Sequence, residues 1–426
     1  MPERESDLKF NDIVPLAFRI VLFLELGIFL WYALIRICHG VFRINVLAIL
    51  NLSFSTRKYS HSNAGDFTTG EYATVASADL EENVILTKGV YRTLRLTFAL
   101  NFAGLATYWA SLVFSHEKSF FRQTASIYIP ALLFFITLHR AMGKGASMGQ
   151  TRMFTTLKRV LVGQINSTTM RTNDILFSDS LTSYAKVLND VFMLAWTILM
   201  PADKGYNVYL ETFVLAYPAL IRIKQCWYEY SHTRDRNHFY NMLKYSCQVG
   251  PLVINMLIKL SMSHLTSEKG ISPRLLELNF WWYIFSAVSS TYSFIWDIRM
   301  DWEFGLFEPV FRPKTRRFEP IRNRSQLVFN NFLMYYVAII VDFFVRFIWV
   351  FKMFVMKEAE MDLGLRHRVG NFLFGYDFLS FGYVLLETLE ILRRWIWCFL
   401  KLECEFIKFQ EKNDLAHAVP LAALDK

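Results

Sequence analysis

Charge is scarce in this 426-residue chain: Asp, Glu, Lys and Arg make up 19% of it, where a soluble domain carries about a quarter. Cysteine is scarcer still. Cys38, Cys226, Cys247, Cys398 and Cys404 form no C-x-x-C pair, so neither a disulfide framework nor a zinc site is read here. There is no G-x-x-x-x-G-K-[ST] loop, no H-E-x-x-H helix and no G-x-S-x-G elbow. Nothing therefore points to an ATP-driven pump, a metalloprotease or a serine hydrolase. Internal repeats and a soluble domain are also lacking. A cleavable leader is not expected, because the first apolar stretch, Ile13 to Ile37, is too long for a signal h-region and has no small-residue cleavage site.

What the chain has is apolar surface: 54% hydrophobic residues, with 40 Phe. These fall in blocks. Thr124 to Leu138 and Val328 to Val341 contain no charged residue, and with their flanks they approach the roughly 20 residues that cross a hydrocarbon core. The fold class expected is all-α, a polytopic membrane protein of about nine spans, near 13–38, 93–115, 124–140, 179–200, 207–230, 241–264, 278–301, 327–355 and 371–402. Asn51 to Gly89 is polar and Ser/Thr/Gly-rich and reads as a loop. Gly145 to Gln164 sets basic and apolar residues at helical spacing, as in an amphipathic helix lying on a membrane surface.

The net charge is +9, and its distribution gives an orientation rather than a nucleic-acid partner. Loops after odd-numbered spans are richer in Lys and Arg: Arg43, Arg57, Lys58 and Lys88; Lys144 to Arg171; Arg234 and Arg236; Arg312 to Arg324. Those loops and the C-terminus are expected in the cytosol, and the N-terminus in a lumen or outside. The sequons at Asn51, Asn166 and Asn323 then lie where no glycan is added. The basic C-terminal end, with Lys401, Lys408 and Lys412, suits anionic lipid or a coat adaptor.

Ionisable groups inside apolar spans are costly and usually face a protein interior or a water-filled path. Asp297 and Asp301 stand one helical turn apart beside Trp296 and Trp302. Asp342 can pair with Arg346, with Trp349 on the same stripe. Glu390 reaches Arg393 and Arg394. Lys244, Tyr245 and Ser246 open one span, and Arg222 and Gln225 lie late in another. Asp179 adds a polar face with Thr182 and Ser183. Several cations on different helices suit an oxyanion, because guanidinium forks match phosphate or carboxylate oxygens. Each feature has a plainer reading: a structural ion pair at Asp342 and Arg346, a snorkelling flank at Arg393-Arg394, interface anchors at Trp296 and Trp302, span ends at Asp297 and Asp301, a flank at Lys244. His232 and His238 read as a solvated face rather than a metal site. No metal or cofactor is expected.

Several motifs, in order over about residues 125–406, resemble the EXS-domain family. Ser289-Ser-Thr-Tyr-Ser-Phe-Ile-Trp296-Asp297-Ile-Arg-Met-Asp301-Trp302 is similar to its S-x-x-Y-x-x-x-W-D-x-x-M-D-W run. Tyr335-Tyr336 with Asp342 and Arg346-Phe-Ile-Trp349 resembles Y-Y…D-x-x-x-R-F-x-W. Glu390-Ile-Leu-Arg393-Arg394 through Glu405 resembles the E-x-x-R-R ending. Pro218-Ala-Leu-Ile-Arg222-Ile-Lys-Gln225-Cys226, Lys244-Tyr245-Ser246 and Asp179-Ser-Leu complete the set. One departure is Trp227-Tyr228-Glu229-Tyr230, where the family usually places R-R-Y.

The family includes the retrovirus-receptor phosphate exporters, which carry a sensory SPX domain. This chain starts close to its first span, so it is expected to lack SPX and to resemble the fungal Golgi branch named for defective retention of ER luminal proteins. The resemblance implies a phosphate path lined by Arg222, Lys244, Tyr245, Asp301, Arg346, Trp349, Arg393 and Arg394, with Asp179, Asp297, Asp342 and Glu390 in support. It implies export of luminal phosphate, a by-product of glycosylation, across the Golgi membrane to the cytosol. The organisation expected is an N-terminal membrane region over 1–123, an EXS-like transmembrane domain over 124–406 and a cytosolic tail over 407–426. The competing reading is a non-transporting factor that retains or recycles Golgi glycosyltransferases. An enzyme has little support.

Overall fold

The computed structural model describes residues 10–50, 69–114, 120–142, 148–166, 170–201, 206–264, 273–311, 321, 327–329, 331–355, 365–374 and 380–422. Among the described residues every regular element is helical. The first long helix, α1 (Leu16–Gly40), follows Pro15, a residue whose missing N–H costs nothing just ahead of a helix. Next come α2 (Thr69–Phe114), then α3 (Ile129–Met142) after a π-helical turn over Thr124–Tyr128. The amphipathic α4 (Met148–Leu161) follows, and exposes Met153, Phe154 and Leu161 while burying Thr156 and Val160.

The second half contains α5 (Arg171–Ser183), α6 (Ala185–Leu199), α7 (Val208–Thr233), α8 (Arg236–His264) and α9 (Pro273–Trp296), with a π-helical turn over Asp297–Asp301. It closes with α10 (Phe332–Phe347) and its 3-10 extension Ile348–Phe354, α11 (Leu365–Phe374) and the long α12 (Phe381–Ala422). Helix starts are capped where the sequence allows. Asn207 accepts from the amides of Tyr209 and Leu210, Asn331 from Leu333, and Ser380 from Tyr383.

Three expectations change. Residues 69–89 belong to α2 rather than to the polar loop expected over 51–89; Glu71 to Lys88 contains no Gly or Pro and is rich in Ala, Glu and Leu, which favour helix when polar as readily as when apolar. The span expected at 179–200 is bent at Tyr184, where α5 ends and α6 begins. The span expected at 371–402 is two helices, with α12 restarting at its Ser380 cap. The α11 segment packs instead on the 3-10 turn, so closely that a Cβ at Gly370 would lie 2.6 Å from the carbonyl oxygen of Phe351. The basic stretch Arg312 to Arg324 and the sequons at Asn51 and Asn323 lie outside the described residues.

The bundle is apolar outside and charged inside. Phe280, Ile284 and Val288 on α9, and Leu333, Val337, Ile340 and Phe344 on α10, form exposed stripes at helical spacing. Asp179, Arg222, Lys244, Asp297, Asp342, Arg393 and Arg394 are buried. Water would reverse that arrangement; a hydrocarbon solvent requires it. By length and composition alone, Leu16–Gly40, Thr87–Phe114 and Thr124–Met142 can each cross a membrane. α6 and α10 are shorter than these, and α7, α8 and α12 carry the buried Arg222, Lys244, Arg393 and Arg394 from which the interior site is built. The protein is an all-α, multi-pass membrane protein.

Candidate functional site

The Tyr184 bend sets the site's first wall. Its hydroxyl donates to the carbonyl of Phe23 on α1 at 3.0 Å. The same hydroxyl crowds Gly27, where no side chain would fit. With the break pinned there, Asp179, Thr182 and Ser183 at the end of α5 face inward. Asp179 accepts from the Tyr245 hydroxyl at 2.5 Å and pairs with Arg222 Nε at 2.7 Å. Arg222 follows Pro218 by one turn of α7 and donates to Gln225 Oε1 at 2.7 Å; Gln225 in turn donates to the carbonyl of Gln164 at 3.1 Å. The Tyr245 ring lies under both Arg222 and Lys244, at 5.0 and 4.8 Å, within cation–π range.

The π turn supplies the second wall. Its 5-residue repeat, closed by Trp302 N–H to Asp297 C=O at 2.9 Å, places both Asp297 and Asp301 against Lys244, 3.6 Å from its ammonium. Such bulges recur at functional sites because they re-aim side chains. Asp297 also meets Arg346, which pairs with Asp342 at 2.9 Å. Asp342 then meets Arg393 at 2.8 Å, and Arg393 holds Glu390 at 2.5 Å. Lys401 reaches Asp301 at 3.8 Å and Glu405 at 3.3 Å. The predicted acidic residues thus lie between the predicted cations, joining α5, α7, α8, the π turn, α10 and α12 in one network.

Arg394 is the exception. It is 5% exposed, and no carboxylate lies within 4 Å of it among the described residues. Its contacts are the hydroxyls of Ser183 and Thr182, at 3.3 and 3.5 Å, and the Trp397 ring at 4.6 Å. Its Nη1 has no hydrogen-bond partner among the described residues. A buried guanidinium left unpaired is costly, and a ligand anion would satisfy it with the two-point geometry that arginine favours.

Trp349 sits one step out. Its indole donates to Ser290 Oγ at 2.9 Å, and Ser290 donates to the carbonyl of Arg346 at 3.0 Å. Trp349 therefore steadies the α10 end on α9. The Trp227–Tyr230 stretch stays outside the network: Trp227 and Tyr228 are exposed, and buried Glu229 is held by Arg171 and by His238 at 3.3 Å. That pairing corrects the reading of His238 as solvated. Arg159 and Asp174 form a further pair at 2.5 Å.

Sequence reasoning missed a second buried group. Arg19 on α1, Asp190 on α6 and Glu387 on α12 are 2%, 0% and 1% exposed, with Lys186 over the Tyr383 ring at 5.2 Å. The signal was there, charges inside three apolar spans, with Lys186 and Asp190 one turn apart. The partners are on different helices, so no local motif ties them together.

The chain is 24% identical over 342 residues to Protein ERD1 homolog 1 of Schizosaccharomyces pombe, covering 75% of this chain and 81% of that protein. It is 28% identical over 258 residues to Protein ERD1 of Saccharomyces cerevisiae, covering 60% of this chain and 61% of that one. Over 276 residues it is 29% identical to Solute carrier family 53 member 1 of Cricetulus griseus, covering 59% of this chain and 36% of the carrier. The chain thus spans less than two thirds of the second relative and little over a third of the third. The EXS family match runs over residues 14–407, and on that extent the chain belongs to the EXS family of membrane proteins.

Proposed function

We propose that this protein is a phosphate conduit of the Golgi membrane, carrying inorganic phosphate left by glycosylation from the lumen to the cytosol. It would cross the bilayer about nine times, with a luminal N-terminus and a cytosolic C-terminus. The observation that carries this reading is Arg394: a buried guanidinium that meets hydroxyls and an indole ring but no carboxylate. Around it Arg222, Lys244, Arg346 and Arg393 are held in place by carboxylates. A phosphate at Arg394 would take bidentate bonds from the guanidinium and further bonds from Ser183 and Thr182. The other cations are already held by carboxylates and do not close on the anion, so binding stays weak enough for release. The task is binding and release, with no bond made or broken, so no enzymatic role is assigned.

Radiolabelled phosphate flux into proteoliposomes tests this. Purified protein should support flux, and Arg394→Gln should abolish most of it while eluting as the same folded species. Flux equal in variant and wild type would discard the site. A well-folded wild type without flux would favour the alternative, a Golgi factor that retains or recycles glycosyltransferases through its cytosolic face or coat adaptors.

A further inference from the structure

We propose that Asp190 and Glu387 form a proton-binding site in series with the phosphate site, so that phosphate passage is coupled to a proton. This rests on the conduit reading above. The two carboxyls come from α6 and α12, and both are sealed from solvent. None of their four oxygens has a hydrogen-bond partner among the described residues. An ionised carboxylate so placed loses its hydration with nothing in return. With two carboxyls and two cations in one dry site, the first proton is lost to the cations and the second is retained against the neighbouring carboxylate, so the pair moves between a singly protonated and a fully ionised state.

The surroundings keep this site balanced rather than neutralised. Glu387 feels Asp190, and both feel Arg19 from α1 and Lys186 from α6, whose ammonium lies 5.2 Å from the ring of Tyr383, one turn before Glu387. Tyr383 faces the pair from α12, and Glu211 of α7 faces Tyr383. Glu211 is itself held by Lys259 of α8 at 2.6 Å. Tyr206, before α7, donates to Asn189 at 3.5 Å on the same side.

Two links join the pair to the centre. Glu387 precedes Arg394 by 7 residues on α12, about 10 Å along the helix. Lys186 is within electrostatic reach of Glu387 and Asp190, and also of Glu390, the residue that holds Arg393. Charge counting gives the coupling its sign. In the centre, among the described residues, Arg222, Lys244, Arg346, Arg393, Arg394 and Lys401 face Asp179, Asp297, Asp301, Asp342, Glu390 and Glu405, an even balance. Arg19 and Lys186 balance Asp190 and Glu387 when both carboxyls are ionised. One retained proton leaves the connected set with a single excess positive charge, which offsets a phosphate monoanion. Proton and phosphate therefore bind better together than apart.

The test uses full-length protein in proteoliposomes under an imposed pH difference, reading labelled phosphate and an internal pH dye together. One proton per phosphate lets each pH unit drive about tenfold accumulation, with the dye reporting proton entry alongside. Asp190→Asn and Glu387→Gln should keep phosphate exchange at equal pH but lose the accumulation and the dye signal. Accumulation that persists in both variants would mean that the proton rides on phosphate itself, and would overturn the proposal. Coupling that follows a sodium gradient instead would overturn it as well. If the wild type passes no phosphate, the conduit reading fails, and the proton site is judged separately by infrared spectroscopy of the protein in bilayers. A protonated-carboxyl carbonyl band that disappears in Glu387→Gln keeps the site, and the lack of any such band removes it.

Discussion

Arg393 meets Glu390, Asp342 and Asp297, the last at 3.8 Å, whereas the next residue, Arg394, meets no carboxylate within 4 Å among the described residues. Their substitutions should therefore part company. Arg393→Ala takes the cation from Glu390 and leaves buried Asp342 with Arg346 alone, and removing one partner of a buried pair costs about 3–5 kcal/mol. Its thermal midpoint in detergent should fall sharply. Arg394→Gln leaves no carboxylate stranded, so its midpoint should stay near that of the wild type. Its phosphate flux should drop by roughly 10- to 150-fold, the scale of a lost hydrogen bond to a charged group, about 1.5–3 kcal/mol. Equal midpoints for the two variants would contradict this division. The sequence made both arginines visible, as charges beside Trp395 in an apolar span. It did not show which was paired, because the partners of Arg393 and Arg394 lie partly on α10 and α5, 51 and 211 residues away.

At the scale of elements, the π turn after α9 decides where two carboxylates point. An α-helical reading already put Asp297 and Asp301 on one face. The additional residue per turn was not legible, since nothing in Asp-Ile-Arg-Met-Asp distinguishes π from α. What holds it is tertiary: Asp297 against Arg346 and Lys244, and Phe304 N–H to Ile298 C=O at 2.8 Å beyond the turn. Inserting one alanine between Met300 and Asp301 would swing Asp301 roughly 80–100° around the axis, away from Lys244 and Lys401. Phosphate flux should then fall in a variant that still elutes as one sharp peak; undiminished flux would show the turn to be dispensable. The last helices were misread for a related reason. Apolar continuity across 371–402 suggests one span, but the Ser380 cap and the close fit of Gly370 on Phe351 divide it. The bounds of α7 and α8, expected at 207–230 and 241–264, were legible to within five residues.

For the whole molecule, composition carried furthest: few charges, many Phe and blocks of apolar residues led directly to a helical membrane bundle. Orientation follows from charge asymmetry and has a direct test. A sequon placed ahead of Phe10 should gain a glycan in cells, while Asn166, beside Asp174, should remain bare. The reverse pattern would turn the protein over. The charged interior has another consequence, for the order in which the chain matures. Each such residue costs about 2.5–3.5 kcal/mol on insertion scales when alone at mid-membrane, and several of the partners sit on α12, the final helix. Until translation reaches Arg393 and Lys401, Asp342 has Arg346 but not Arg393, and Asp301 has Lys244 but not Lys401. Assembly is therefore held open until α12 has been made. A ribosome stalled or a chain cut before α12 would leave a half-charged bundle for the membrane quality-control machinery to remove.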